Sequence, residues 1–486
     1  MVPREENLLG ILSRNDVTFF IPPYQRNYEW DAEQCDILFR DIKKTYELNH
    51  KNKGPNSKGS AKHFIGSITY FPTEGHSTFD PKELVLIDGQ QRITTTMIFL
   101  AALRDTIEDE KAKAFINKKY LFNDTTTKEG SEYKVKLKQV ETDYEAYRKT
   151  IQKEELSEKE KNSAVYINYK HFVDLLQEEA ANGTDLFELI NQGLAHFSIV
   201  SIELNPDVQG ENPQEIFESM NSIGKPLALA DLVRNYVLLG LKPEIQDAYY
   251  KRYWLYIEQR LPGHVSDFIR DYMQTYSQKP YVKASEKNYK ILYAEFKSLF
   301  SETLDEEGKT IPYDVKALLE DLDKYSKIYQ FIISNFSCGN TKIDSILRDL
   351  RVLKVTTSYS FLMTLLSYWK DGKFSDGDTI SMLEAFFNYC LRRRIIGETN
   401  AENKNMPTLS RKVDLLVKAD NKKTKMFDIL SDMEKSCRLP NDIEVAQKLK
   451  EMNFYNFSYC KFILALIEEE LTKSRPNLDE IGRAHV

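Results

Sequence analysis

LVLIDGQQRITTTMIFLAALRD, residues 84–105, decides the fold of the region around it. Residues 84–87 are a short apolar run that predicts a buried strand, and from Ile93 onward apolar residues recur at helical spacing to Leu103. The chain must therefore pass from strand to helix across residues 88–92, which hold one glycine, two glutamines and an arginine. Helix N-termini leave N–H groups without partners and carry partial positive charge, so this turn, with Arg92 beside it, suits a phosphate or a carboxylate. Backbone N–H groups after Gly89 would cradle phosphate oxygens, and Arg92 would offer a two-pronged guanidinium. Thr94 or Thr95 would add hydroxyl donors, and Asp88 would hold a hydrated magnesium ion or orient water. The alternative is an ordinary connection in which Asp88 caps the helix and the glutamines face solvent.

Outward from this stretch, HFIGSITYF (63–71) predicts a strand by its β-branched and aromatic content, while His63, alone beside a loop, carries no assignment. VTFFIPPYQRNYEW (17–30) is extended but interrupted by Pro22 and Pro23, which suit strand edges or turns. Its Tyr24, Gln25, Arg26, Asn27 and Trp30 can stack a base and bind its edge or a phosphate; equally, they can serve packing. Asp31, with Gln34 three residues on, predicts the start of a helix whose apolar face is Ile37, Leu38, Ile42 and Tyr46. Residues 5–13 read as a short helix, 50–62 as a Gly/Ser/Lys-rich loop, 133–140 and 196–204 as strands, and most of 103–195 as charged helix. In 212–241 two helices flank a turn at 221–226, where Asn221 and Lys225 enter the second helix: Lys225 either supplies a counter-charge to phosphate or belongs to a helix hairpin with Pro226 at the first turn of the second helix. Beyond 242 the pattern is helical throughout, including single helices at 342–372 and 377–396. The expected fold class is an α+β N-terminal domain, residues 1–241, followed by an all-α helical domain, residues 242–486.

Composition narrows the function. The chain has 486 residues, 41% hydrophobic and 29% charged, with a net charge of −7, which argues against a surface coated in positive charge but leaves room for a local basic groove. One such cluster is Arg392, Arg393 and Arg394, which can contact DNA phosphate or pair with acidic residues of another helix. Five dispersed cysteines form no C-x-x-C pair, and neither an H-E-x-x-H nor a G-x-x-x-x-G-K-[ST] pattern occurs, so a zinc centre and a P-loop are not indicated. The N-terminus lacks a signal-peptide pattern, and no apolar run reaches the roughly 18 residues of a membrane helix, so a cytoplasmic protein without a membrane partner is expected.

Five segments in order, YQRNYEW (24–30), FIGSI (64–68), LIDGQQRITT (86–95), FESMNSIGKPLALADL (217–232) and LRRR (391–394), resemble the GmrSD-type restriction endonuclease family. The resemblance implies an N-terminal domain similar to the ParB and sulfiredoxin fold that binds and hydrolyses a nucleoside triphosphate, in a system that restricts modified phage DNA. It places the central motif at Asp88, Gly89, Gln90, Gln91 and Arg92, with Gln25 and Arg26 facing the same pocket and Tyr24, Asn221 and Lys225 contributing. Hydrolysis would use Arg92 and a divalent metal such as Mg2+, with Gln91 positioning water. The family's C-terminal His-Asn-His nuclease segment, marked by E-H-I-x-P-Q, has no counterpart before Val486. The expectation is that the chain is truncated ahead of that segment or works with a partner nuclease. Two competing readings are a complete DNA nickase with unrecognised cutting residues and a DNA-binding module without turnover.

Overall fold

The strand, the glycine turn and the helix form where the sequence places them, as β4 (Lys82–Asp88) and α3 (Gln90–Thr106), with Gly89 between them as N-cap. The computed structural model describes residues 2–15, 17–51, 60–73, 81–123, 134–205, 216, 227–239, 241–277, 282–301, 303–304, 310–311, 314–397, 406–433 and 437–474. The chain divides into two units, Met1–Pro226 with Arg234–Asp247, and Leu227–Val233 with Ala248–Val486. The division is interleaved where a single cut at 241 was expected, because Leu229–Leu238 is one helix whose first half belongs to the second unit.

The first unit is built on a mixed six-stranded sheet. Its other strands are β1 (Val2–Asn7), β2 (Val17–Phe20), β3 (His63–Thr73), β5 (Leu137–Lys138) and β6 (Phe197–Glu203), in the order β1-β6-β3-β4-β2-β5. β3 pairs antiparallel with β4 and parallel with β6, while β2 lies parallel to both β4 and β5. The expected helix over 5–13 is shortened to α1 (Leu8–Leu12): the chain pairs as strand up to Asn7, whose side chain then accepts from the Gly10 N–H at 2.9 Å. The helix predicted after Asp31 is α2 (Ala32–Lys51), and Gln34 accepts the Asp31 N–H at 3.0 Å while Asp31 accepts the Glu33 N–H at 2.9 Å. The strand expected over 133–140 contracts to the two residues of β5.

Helix α3 is buried on nearly every side. Ile93, Met97, Ile98, Phe99, Leu100 and Leu103 are all fully buried, each contributing about 1.5–3 kcal/mol by leaving water. Phe99 meets Phe39 of α2 and, edge-on, Phe172 of the helix Ala164–Ala181. A helix so enclosed has no solvent face for its polar residues. Thr95 and Thr96 return their hydroxyls to Gln91 O and Arg92 O, both at 2.8 Å, and Thr94 accepts from Gln139 Nε2 at 2.7 Å. At its far end Arg104 is held by both oxygens of Asp105 and by Ile151 O.

Among the described residues the second unit is helical apart from one short antiparallel strand pair, Thr303–Leu304 against Thr310–Ile311, where no strand was expected. The single helix expected over 342–372 is two, Thr341–Val352 and Tyr359–Lys370. Lys354 takes a positive φ of 53°, and the β-branched run Val355-Thr356-Thr357, which resists helix, spans the break. A fully buried Arg270–Asp271 pair, joined by Tyr329, lies in the core of this unit.

Gly89 sits at φ +91°, and a Cβ there would lie 3.0 Å from Ile68 Cγ1 and 3.1 Å from Ser67 O. Gly89→Ala is therefore expected to destabilise the first unit by about 1–3 kcal/mol in urea unfolding. Gly183→Ala, at φ +81° with open space around it, should cost clearly less. Equal losses would mean that the contact with β3 has no energetic weight.

Candidate functional site

At the start of α3 the cap is a glycine, and no side chain among the described residues accepts from the first-turn N–H groups. Asp88 does not cap the helix. Its Oδ2 lies 3.4 Å from Ser67 Oγ and 3.6 Å from Arg92 Nη1, and the side chains of Asp88 and Arg92 are each 32% exposed. Arg92 Nη1 donates to Ser67 O at 2.7 Å. That reach is possible because Gly66, at φ +110° where the β3–β6 register shifts, leaves room: a Cβ there would lie 3.1 Å from Arg92 Cζ. The outcome is an uncapped helix terminus with one carboxylate and one guanidinium open to solvent.

The other polar residues of the turn face the opposite way, onto residues 25–30. Gln25 Nε2 donates to Ile87 O at 3.0 Å, Gln90 Nε2 to Arg26 O at 3.4 Å and Gln91 Nε2 to Asn27 O at 3.0 Å. Gln91 Oε1 accepts the Glu29 N–H at 3.0 Å. Both ends of the Gln91 amide are thus engaged with backbone, and the residue is buried, so it clamps two segments and does not position water as expected. Thr94 and Thr95, fully buried and hydrogen-bonded internally, likewise offer no hydroxyl to a phosphate. Tyr24 is buried with its carbonyl accepting from Arg234 Nε, and Arg26 pairs with Glu29 at 3.2 Å.

Arg92 also forms one wall of a cavity of about 310 Å³ between α2, β3 and α3, lined by Trp30, Ile37, Leu38, Asp41, His63, Phe64, Ile65 and Thr96 among others. His63 Nε2 faces Asp41 Oδ2 at 3.4 Å, and its ring lies 4.7 Å from that of Phe197. The cavity combines apolar side chains with the Arg92 guanidinium, the His63 imidazole and the Asp41 carboxylate, a lining suited to a ligand with a planar or apolar part and polar groups.

Residues 8–238 match the family described as the GmrSD restriction endonuclease, N-terminal domain. This part of the chain belongs to that family. No curated protein matches the chain. Within the GmrSD domain, the segments 24–30, 64–68 and 86–95 converge on the start of α3, while Asn221 and Lys225 lie outside the described residues. The arginine cluster lies beyond the GmrSD domain, and its three side chains diverge. Arg392 binds Asp442 and Pro440 O, Arg393 is fully buried with its guanidinium 5.7 Å from the Tyr389 ring, and Arg394 donates to Leu353 O at 3.0 Å. Arg393 therefore cannot meet DNA phosphate, and the other two are committed to holding the helix Asp376–Ile396 in place.

Asp41, Gly66 and Ser67 of the GmrSD domain were not singled out from sequence, and His63 was noted there without a role. The available signal was Gly66 inside a strand pattern, which marks a bulge or a close approach. Asp143 was also missed. It accepts the Tyr28 N–H at 2.6 Å, and Tyr28 in turn bonds Thr95 and Asn168, so it anchors the clamped segment from the far side. Burial pushes the Asp143 carboxyl up to about 6, opposed by the Tyr28 N–H and reinforced by the nearby charge of Glu29. Because the folded value lies above the unfolded one, the protonated form favours folding, and that contribution is lost as pH rises through about 6. Asp143→Asn should therefore gain on the order of 2–3 kcal/mol relative to wild type between pH 4 and 7 in denaturation curves. A pH-independent difference between the two would contradict this assignment.

Proposed function

We propose that the GmrSD domain binds and hydrolyses a nucleoside triphosphate and thereby acts as the sensor or regulatory component of a modification-dependent DNA restriction system against phage, in the cytoplasm. The observation that carries this reading is the uncapped, glycine-led N-terminus of α3 with Asp88 and Arg92 partly exposed beside it. Family membership supports the restriction role. The nucleotide rests on the resemblance to ParB- and sulfiredoxin-like domains together with this terminus.

First-turn N–H groups and Arg92 bind and orient phosphate oxygens, and Arg92 neutralises charge that grows on them during transfer. The adjoining cavity, with Trp30 and Phe64 in its lining, accommodates the remaining part of the nucleotide. Among the described residues no cluster of three His, Cys, Asp or Glu can cage a metal. A lone carboxylate suits Mg2+, which takes one or two protein oxygens and completes its shell with water and substrate phosphates, so Asp88 is the residue that would hold it. Bound there, the ion supplies charge neutralisation at the phosphates. Gln25, Gln90 and Gln91 keep the pocket wall in place. Modified phage DNA and a partner nuclease are the proposed partners; no helix among the described residues is long and apolar enough to cross a membrane.

Phosphate release from each nucleoside triphosphate in magnesium, with plain and modified DNA, tests the proposal. Arg92→Ala and Asp88→Asn should each lower turnover about 100-fold or more, with melting temperatures close to wild type because both side chains are partly exposed. Turnover untouched by both substitutions would place the chemistry elsewhere, and DNA nicking without phosphate release would favour the nickase reading.

A further inference from the structure

A second cavity of about 310 Å³ lies in the helical unit, between the end of Val315–Ile333 with the residues that follow it and the helix Thr341–Val352. Its lining includes Phe331, Asn335, Phe336, Asp344, Arg348 and Arg351. The Phe331 and Phe336 rings are stacked, 6.1 Å apart at 11°, and Phe336 remains 59% exposed, so one aromatic face stands open to solvent. Lys370 Nζ lies 5.7 Å from the Phe331 ring and adds positive charge nearby.

The two arginines are unusual in their partners. Arg351 Nη1 donates to Phe331 O at 3.1 Å and to Ile332 O at 3.3 Å, and its Nη2 donates to Asn335 Oδ1 at 2.7 Å. Arg348 Nη2 donates to Ser345 Oγ at 3.0 Å. Neither makes an ion pair among the described residues. Asp344 is the one carboxylate of the lining, and its oxygens already accept from Ser337 Oγ at 2.5 Å and from the Cys338 N–H at 2.8 Å. Burial and the neighbouring Arg348 charge weigh against the Arg351 guanidinium, holding its pKa below the usual arginine range. Two guanidiniums against the single carboxylate of the lining leave an excess of positive charge that favours an incoming anion, and phosphate matches the fork of arginine. An open aromatic face beside them favours a planar ring, and stacking tolerates any base.

We propose that this cavity binds one nucleoside 5′-phosphate unit, its base against Phe336 and its phosphate between Arg348 and Arg351, taken either as a free nucleotide or as an unstacked nucleotide of a DNA strand. The site does not depend on the reading given to α3, and the test separates the two by using the full chain carrying Arg92→Ala. Deoxyadenosine 5′-monophosphate is titrated by calorimetry, and a fluorescein-labelled single strand of deoxyadenylate by anisotropy at fixed salt. Binding of at least one probe is expected, weakened about tenfold or more by Arg348→Glu and about fivefold or more by Phe336→Ala. Both substituted side chains are exposed, so melting temperatures should stay unchanged and the loss reports on the cavity. Tighter binding of the strand than of the monophosphate identifies DNA as the source, and equal binding identifies a free nucleotide. Binding of neither probe, or binding that either substitution leaves within twofold, overturns the proposal.

Discussion

Residues 22–30 run between a β-strand and a helix without a ladder of their own, and the amide side chains at the start of α3 supply the hydrogen bonds they lack. Gln90 and Gln91 reach across to Arg26 O and Asn27 O, and Gln25 reaches back to Ile87 O. A buried carbonyl left without a donor costs about 1–3 kcal/mol, so removing any one amide exposes more than the bond it made. Glutamine is suited to the task because one side chain both donates and accepts, as Gln91 does between Asn27 O and the Glu29 N–H. The clamp also reaches the rest of the first unit: Tyr28 is bonded through its hydroxyl to Thr95 and Asn168 and through its backbone N–H to Asp143.

With those side chains committed to the fold, what stays available at the turn is small and specific. Gly89 gives the chain its left-handed step and brings the helix start against Ser67 and Ile68, while Gly66 opens the space into which Arg92 folds. Asp88 and Arg92 stand 3.6 Å apart and partly exposed beside the uncapped first turn. Any ligand chemistry at α3 has to use those groups, because Thr94, Thr95 and Gln91 have already spent theirs inside.

The strand, the turn and the helix of residues 82–106 were legible in sequence, as was the change to helices beyond 242, because hydrophobic period reports burial directly. The convergence of 24–30 on 88–92 was legible only as a resemblance, since nothing local says that two distant polar segments meet. The direction of each side chain was not legible at all. Three threonines in a helix look like a polar face, yet α3 is enclosed by α2, the helix Ala164–Ala181 and the sheet, and a hydroxyl in such a helix satisfies itself on the carbonyl four residues back. The arginine run at 392–394 misled for the same reason: successive helical residues point about 100° apart, so three charges in sequence are not one patch in space. His63 was passed over because its partner Asp41 lies on α2, and no local pattern in the sequence links the two positions.

Hydrogen exchange at the first turn of α3 tests the account at its centre. Addition of a non-hydrolysable nucleoside triphosphate analogue with magnesium to the intact chain should slow exchange of the amides of residues 89–92, and Arg92→Ala should remove that protection. Unchanged exchange at those four amides, with protection appearing elsewhere in the domain, would show that the helix terminus is not where the triphosphate is held.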